Sequence, residues 1–215
     1  MPGIEVSDKI ISFLTFLPVF ILSITIHEFA HALIAAKLGD DTARSRGRLT
    51  LNPIKHADII GTIVMPIASF ASGIALIGWA KPVPVDRRKF KNIMRDDAIV
   101  SFAGPVSNFL LAILFFFLFM LIFKSNVSHY ILNLFWYGVF FNIFLFVFNL
   151  LPIPPLDGSH ILFDLFPNKL TAKFINLGLY GSIILLVFIY SPLWGYFMSL
   201  VNLILEMFLK TGGIS

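Results

Sequence analysis

Three stretches of this chain, Ala98 to Phe123, Tyr130 to Leu156 and Phe174 to Leu205, contain no Asp, Glu, Lys or Arg. Each exceeds the roughly 18 to 20 residues that a helix needs to cross the hydrocarbon layer of a bilayer. Within lipid the backbone must satisfy its own hydrogen bonds, which makes helices the default spanning form of such runs. A further apolar run from Ile10 to Ile26 has no small-residue cleavage pattern after it and reads as a retained helix rather than a signal peptide. Charged residues make up 13% of the 215 residues, against roughly a quarter in an ordinary soluble domain. The expectation is an all-α polytopic membrane protein, one domain over residues 1–215, with about five to six membrane helices including a re-entrant segment.

Punctuation between the runs sets the expected order of elements. The first helix should extend from about Lys9 to Leu38 and stop at Gly39 and the Asp40-Asp41 pair. Gly47 to Asn52 and Trp79 to Asp86 alternate polar and apolar residues, as short β-strands near the active site would. Pro82 and Pro84 lack N–H groups on one edge of the second stretch, leaving its other edge free to pair. Between them, Ile59 to Gly78 is apolar but interrupted by Pro66, so it either crosses or dips and returns. The flanking loops, Lys37 to Asp58 and Lys81 to Asp97, hold 11 of the 16 Lys and Arg residues. Basic loops tend to stay cytoplasmic, which favours a re-entrant segment with both loops on one side. The final apolar stretch should break near Ser191-Pro192.

The first run carries chemistry. His27-Glu28-Phe29-Ala30-His31 places two imidazoles four residues apart, on one helix face and about a turn from each other, as two ligands of one zinc require. Glu28 beside them can take a proton from a water and hand it to a leaving amine. Ionisable groups at membrane depth cost several kcal/mol unless they are paired, solvated or metal-bound. With no cysteine in the chain, any metal is held by imidazole and carboxylate, and disulfides are excluded. A catalytic zinc needs a third protein ligand and an open fourth position. Asp157 and its neighbour His160 are the best placed, because Pro152, Pro154 and Pro155 break the helix before them and imply a protein-lined or wet cavity. Asp157 would equally suit the N-cap of a helix beginning at Ser159.

Taken together, His27-Glu-Phe-Ala-His31, Ala103-Gly-Pro-Val-Ser-Asn108 and Asn149-Leu-Leu-Pro-Ile-Pro-Pro-Leu-Asp157-Gly158 resemble the site-2 protease family of intramembrane zinc metalloproteases. The resemblance spans most of the chain in the family's order. It implies that His27, His31 and Asp157 bind one Zn2+ ion, that Glu28 activates water, and that Asn108 assists substrate or oxyanion positioning; Asn108 would equally suit a hydrogen bond between helices. Leu51 to Gly61 and Gly78 to Val85 are similar to motifs of the compact prokaryotic branch, without PDZ or CBS modules. His56 and Asp58 could guard the site or bind a second ion, though a loop histidine capping local backbone is the simpler role.

The implied activity is a zinc-dependent intramembrane endopeptidase acting on transmembrane protein substrates in a prokaryotic cell membrane, with its active site nearer the cytoplasmic side. Substrate would unwind and pair with Gly47 to Asn52 or with the open edge of Lys81 to Asp86. The alternatives are a proton or metal-ion transporter using the same His, Glu and Asp, and a catalytically silent membrane scaffold. The lipid bilayer is an expected partner. Nucleic acid is not, since the net charge of +4 comes without an aromatic-interleaved basic stripe.

Overall fold

The structure is a computed structural model, which describes residues 2–72, 78–125 and 127–213. Helix α1 spans Pro2–Lys37 and ends as expected: Gly39 takes φ 108°, and the Asp40 amide returns to the Ala35 carbonyl at 2.9 Å. A positive φ is available to glycine at little cost, so the helix stops there. Two single-turn helices follow, α2 (Thr42–Ser45) and α3 (Pro53–His56). Next come a π-helical turn, Ile59–Val64, and the short α4, Met65–Ser72. The long α5 (Ile93–Phe123) and α6 (His129–Asn149) lead to α7 (Asp157–Leu165), α8 (Lys169–Ile175), α9 (Leu179–Tyr190) and α10 (Leu193–Thr211).

Four described helices are long and apolar enough to cross a bilayer: α1 from Asp8, α5, α6 and α10. The pair α8 and α9, bent by 84°, makes a fifth if it counts as one span. The break between α9 and α10 falls at Ser191-Pro192, where proline cannot continue the hydrogen-bond ladder.

Helices α1, α5 and α6 pack on one another, α7 lies on α5, and α10 lies on α6. Lipid tails are as apolar as leucine, so close packing must replace hydrophobic expulsion as the source of cohesion. Val19, Phe20 and Ile24 of α1 accordingly meet Leu111 and Phe115 of α5 and Val139 and Ile143 of α6. At Gly138 a Cβ would collide with the Phe115 ring, so glycine is what lets α5 and α6 approach this closely.

The two ends of the apolar stretch from Ile59 to Gly78 are bonded to each other. The Trp79 amide donates to the Gly61 carbonyl at 3.0 Å, and the Thr62 hydroxyl donates to the Trp79 carbonyl at 2.9 Å. Both ends of the apolar stretch therefore lie at one level; residues 73–77 within it are outside the described residues.

The expected β-strands do not form among the described residues. Gly47 to Asn52 is a series of bends: Arg48 turns back to the Ala43 carbonyl, and the Asn52 side chain caps α3. Trp79 to Asp86 is neither helical nor paired with another strand. Its alternate amides go instead to the carbonyls of Gly61 and His56 and to the Glu28 carboxylate. The edge expected to be free is thus already occupied.

Candidate metal centre

His27 and His31 sit a turn apart on α1, and both are buried. Their Nε2 atoms lie 3.0 Å apart. Asp157, from the start of α7, brings Oδ2 to 3.2 Å from His27 Nε2 and Oδ1 to 3.4 Å from His31 Nε2. The other ring nitrogens fix the proton positions. His31 Nδ1 lies 2.7 Å from the Val100 carbonyl, which only accepts, so Nδ1 carries the hydrogen and Nε2 presents a lone pair. His27 Nδ1 lies 2.6 Å from Asn108 Oδ1 and donates to it in the same way.

Two imidazole lone pairs and a carboxylate therefore converge with no hydrogen among them, an arrangement that repels unless a cation lies between. Asp157 Oδ2 is buried and has no hydrogen-bond partner among the described residues. Ligand atoms on a tetrahedral zinc at about 2.0–2.1 Å stand about 3.3 Å apart, close to the separations observed. Helix α5 passes directly against the pair: a Cβ at Gly104 would strike His31 Nε2 and His27 Cε1. The donor set and the glycine cradle fit a zinc ion.

Asp157 reaches the histidines because Leu150 to Leu156 cannot be helical past its prolines and returns the chain toward α1. It is the first residue of α7 rather than a cap; Leu156 holds the cap position and makes no side-chain cap bond. A Cβ at Gly158 would collide with the carbonyls of Leu150 and Leu151, so the tight return needs glycine there. At the far end of α7, Asp164 is held by Arg87, whose Nε also reaches Asp97 Oδ2 of α5 at 2.9 Å. Burial, and then the neighbouring Asp97 carboxyl, push Asp164 up to about 7.

Glu28 follows His27 on α1 and is oriented from outside the helix: the Val83 amide donates to its Oε2 at 2.7 Å. The extended strap carrying Val83 is tied at both ends. Lys81 N donates to the His56 carbonyl at 2.8 Å, and Asp86 N donates to Asp40 Oδ2 at 2.7 Å. Burial alone would raise the Asp40 carboxyl, but the Thr42 hydroxyl, the Asp86 and Thr42 amides and the Lys89 ammonium together hold it below its ordinary value. Arg48 Nη2 grips the Lys81 carbonyl at 2.6 Å.

The remaining candidates fall elsewhere. His160 leans toward Asp97 at 3.6 Å and is not among the converging donors. His56 is fully buried with Nε2 at 2.7 Å from the Thr50 carbonyl, and Asp58 caps the Gly61 amide; both organise local backbone. Asn108 is fully buried, with its amide nitrogen donating to Asn142 Oδ1 at 2.9 Å. The Val83 amide, the Val100 carbonyl and Asn142 carry no sequence signal of this role. The first two are backbone groups that any residue supplies, and Asn142 is a lone amide in an apolar run.

Residues 120–189 match peptidase family M50. The chain is 47% identical over 184 residues to a Bacillus subtilis protein with the provisional name zinc metalloprotease YwhC, covering 82% of this chain and 80% of that one. Proteins provisionally named zinc metalloprotease Rip2 are 37% identical in Mycolicibacterium smegmatis and 38% identical in Mycobacterium tuberculosis. Those matches extend over 144 residues, 65% of this chain and 52% of the relative. No solved structure matches the chain.

Proposed function

Because the chain belongs to peptidase family M50, the site-2 protease family, we propose that it is a zinc-dependent intramembrane endopeptidase cleaving transmembrane segments of other proteins. The observation that carries this is the convergence of His27, His31 and Asp157 beside Glu28 on a helix fit to span a bilayer. One ion held by those three side chains would polarise the scissile carbonyl and lower the pKa of a water to about 7.

Glu28 is the general base and acid. It takes a proton from the water that attacks the carbonyl carbon, then delivers it to the nitrogen as the C–N bond breaks. The Val83 amide fixes one carboxylate oxygen, and among the described residues no donor reaches the other. Asn108 acts through His27 as a positioning residue, since it is fully buried and hydrogen-bonded to that ring. A substrate helix satisfies its own backbone and must unwind locally before a carbonyl is exposed to attack. His27 lies ten residues before Lys37, about 15 Å along the helix, at the end of α1 that leads into the basic loops. Basic loops favour the cytoplasm, which supports a site nearer that side.

Zinc content and cleavage of a transmembrane substrate, measured on purified variants, test the assignment. Glu28→Gln should keep zinc and lose cleavage by at least about a hundredfold. His27→Ala and Asp157→Ala should lose both zinc and cleavage. Sustained turnover in Glu28→Gln removes Glu28 from the chemistry and the mechanism with it.

A further inference from the structure

A chain of side-chain hydrogen bonds runs from the candidate metal centre through α5 to α6 and back to Ser23 of α1, and its direction can be read from one end. Ser23 Oγ donates its single hydrogen to the Val19 carbonyl at 2.7 Å, so toward Asn142 it can only accept. The Asn142 group facing it at 2.9 Å is therefore the NH2, and the same nitrogen donates to the Gly138 carbonyl at 2.8 Å. That leaves Asn142 Oδ1 to accept from Asn108 Nδ2 at 2.9 Å, whose second hydrogen points to the Ser23 carbonyl at 3.3 Å. Asn108 Oδ1 is then forced toward His27 Nδ1, which must be the protonated nitrogen. All four side chains are buried, Ser23, Asn108 and Asn142 completely, so no bulk water competes for these bonds.

We infer that Asn142 is a positioning residue: it sets the orientation of the Asn108 amide and thereby the tautomer in which His27 offers Nε2 to the ion. This rests on the peptidase reading of the site. An amide can flip, presenting NH2 instead of oxygen to His27; Nδ1 would then become the acceptor, and Nε2 would carry the hydrogen where a metal should bind. Asn142 Oδ1 makes that flip costly, because it would face the flipped oxygen across 2.9 Å. Partners of ligating histidines are worth about 10- to 100-fold in metal affinity.

The test is zinc affinity of the full chain in detergent, by competition with a fluorescent chelator, in a four-variant cycle. Asn142→Leu removes the orienting acceptor and should weaken zinc binding by about tenfold. In Asn108→Asp both oxygens accept, so nothing remains to orient, and Asn142 Oδ1 becomes a repelling neighbour. Adding Asn142→Leu to Asn108→Asp should therefore leave zinc binding unchanged or tighten it, reversing the sign of its effect. An equal loss in both backgrounds would mean that Asn142 only packs, and overturns the inference. Should Asn142→Leu not fold, Asn142→Met gives an unbranched replacement for the same comparison. A wild-type chain with no zinc affinity overturns the metal assignment itself, an outcome distinct from failure of the cycle.

Discussion

At Gly104 one hydrogen atom separates a site that admits both imidazoles from one that does not. Gly104→Ala would place a methyl group against His31 Nε2 and His27 Cε1, so the rings must turn away from Asp157. Zinc affinity should fall by more than about tenfold, while Gly195→Ala, where an added Cβ meets nothing, should leave it unchanged. Equal affinity in the two variants would place the rings elsewhere. The spacing of His27 and His31 made their pairing on one face legible, because a helix repeats every 3.6 residues whatever surrounds it. Asp157 was legible only as one of two readings; what brings it to the histidines rather than to a cap is where the proline-broken segment turns, a matter of tertiary path. The partners of the histidines and of Glu28 were hidden for a related reason. Val83 and Val100 act through backbone atoms, and α6 is apolar all round, so its sequence does not tell which neighbour Asn142 faces.

Helix α7 joins the candidate metal centre to an ionic clamp, with Asp157 at its first residue and Asp164 in its last turn. Arg87 bridges two facing carboxyls, Asp97 and Asp164, of which the Asp164 side chain is fully buried. Removing the arginine leaves those carboxyls opposed, and Arg87→Ala should cost about 3 kcal/mol, the lower end for a broken buried pair because Arg87 is itself partly exposed. The sign of the pH dependence follows from Asp164. Its folded pKa of about 7 lies above the ordinary carboxyl value, so its stabilising effect is complete below about pH 4 and lost as pH rises through 7. Thermal unfolding in detergent should show Arg87→Ala most destabilised above pH 7 and partly recovered near pH 5. Asp164→Asn should flatten the pH dependence between those limits. A pH-independent deficit in Arg87→Ala would mean that the clamp is not ionic. The neighbouring strap shows why alternation misled at this scale. Alternating polarity over Trp79 to Asp86 reports that successive side chains face opposite ways, which extended backbone does with or without a partner strand. Here carbonyls of a loop and a carboxylate of α1 take the amides, and no strand is needed.

For the molecule as a whole, the path of Ile59 to Gly78 decides on which side of the membrane every later loop lies. A stretch that crosses would separate its two flanking basic loops, whereas the bonds between Trp79 and the Gly61-Thr62 pair hold its ends together. On a re-entrant path both basic loops share one face with the C-terminal end of α1, and the turn after α5 emerges opposite, one long helix away. The absence of cysteine makes this testable without background labelling. Lys55, Lys91 and Ser125 are exposed and lie in the first basic loop, the second basic loop and the α5–α6 turn. In intact cells a membrane-impermeant thiol reagent should label Ser125→Cys and reach Lys55→Cys and Lys91→Cys only after permeabilisation. Labelling of Lys55→Cys and Lys91→Cys from opposite sides would show that the stretch crosses, and would carry the basic loops apart. Labelling of both from outside would keep the re-entrant path but invert the molecule, moving the candidate metal centre to the outer side, where its substrates would have to present themselves.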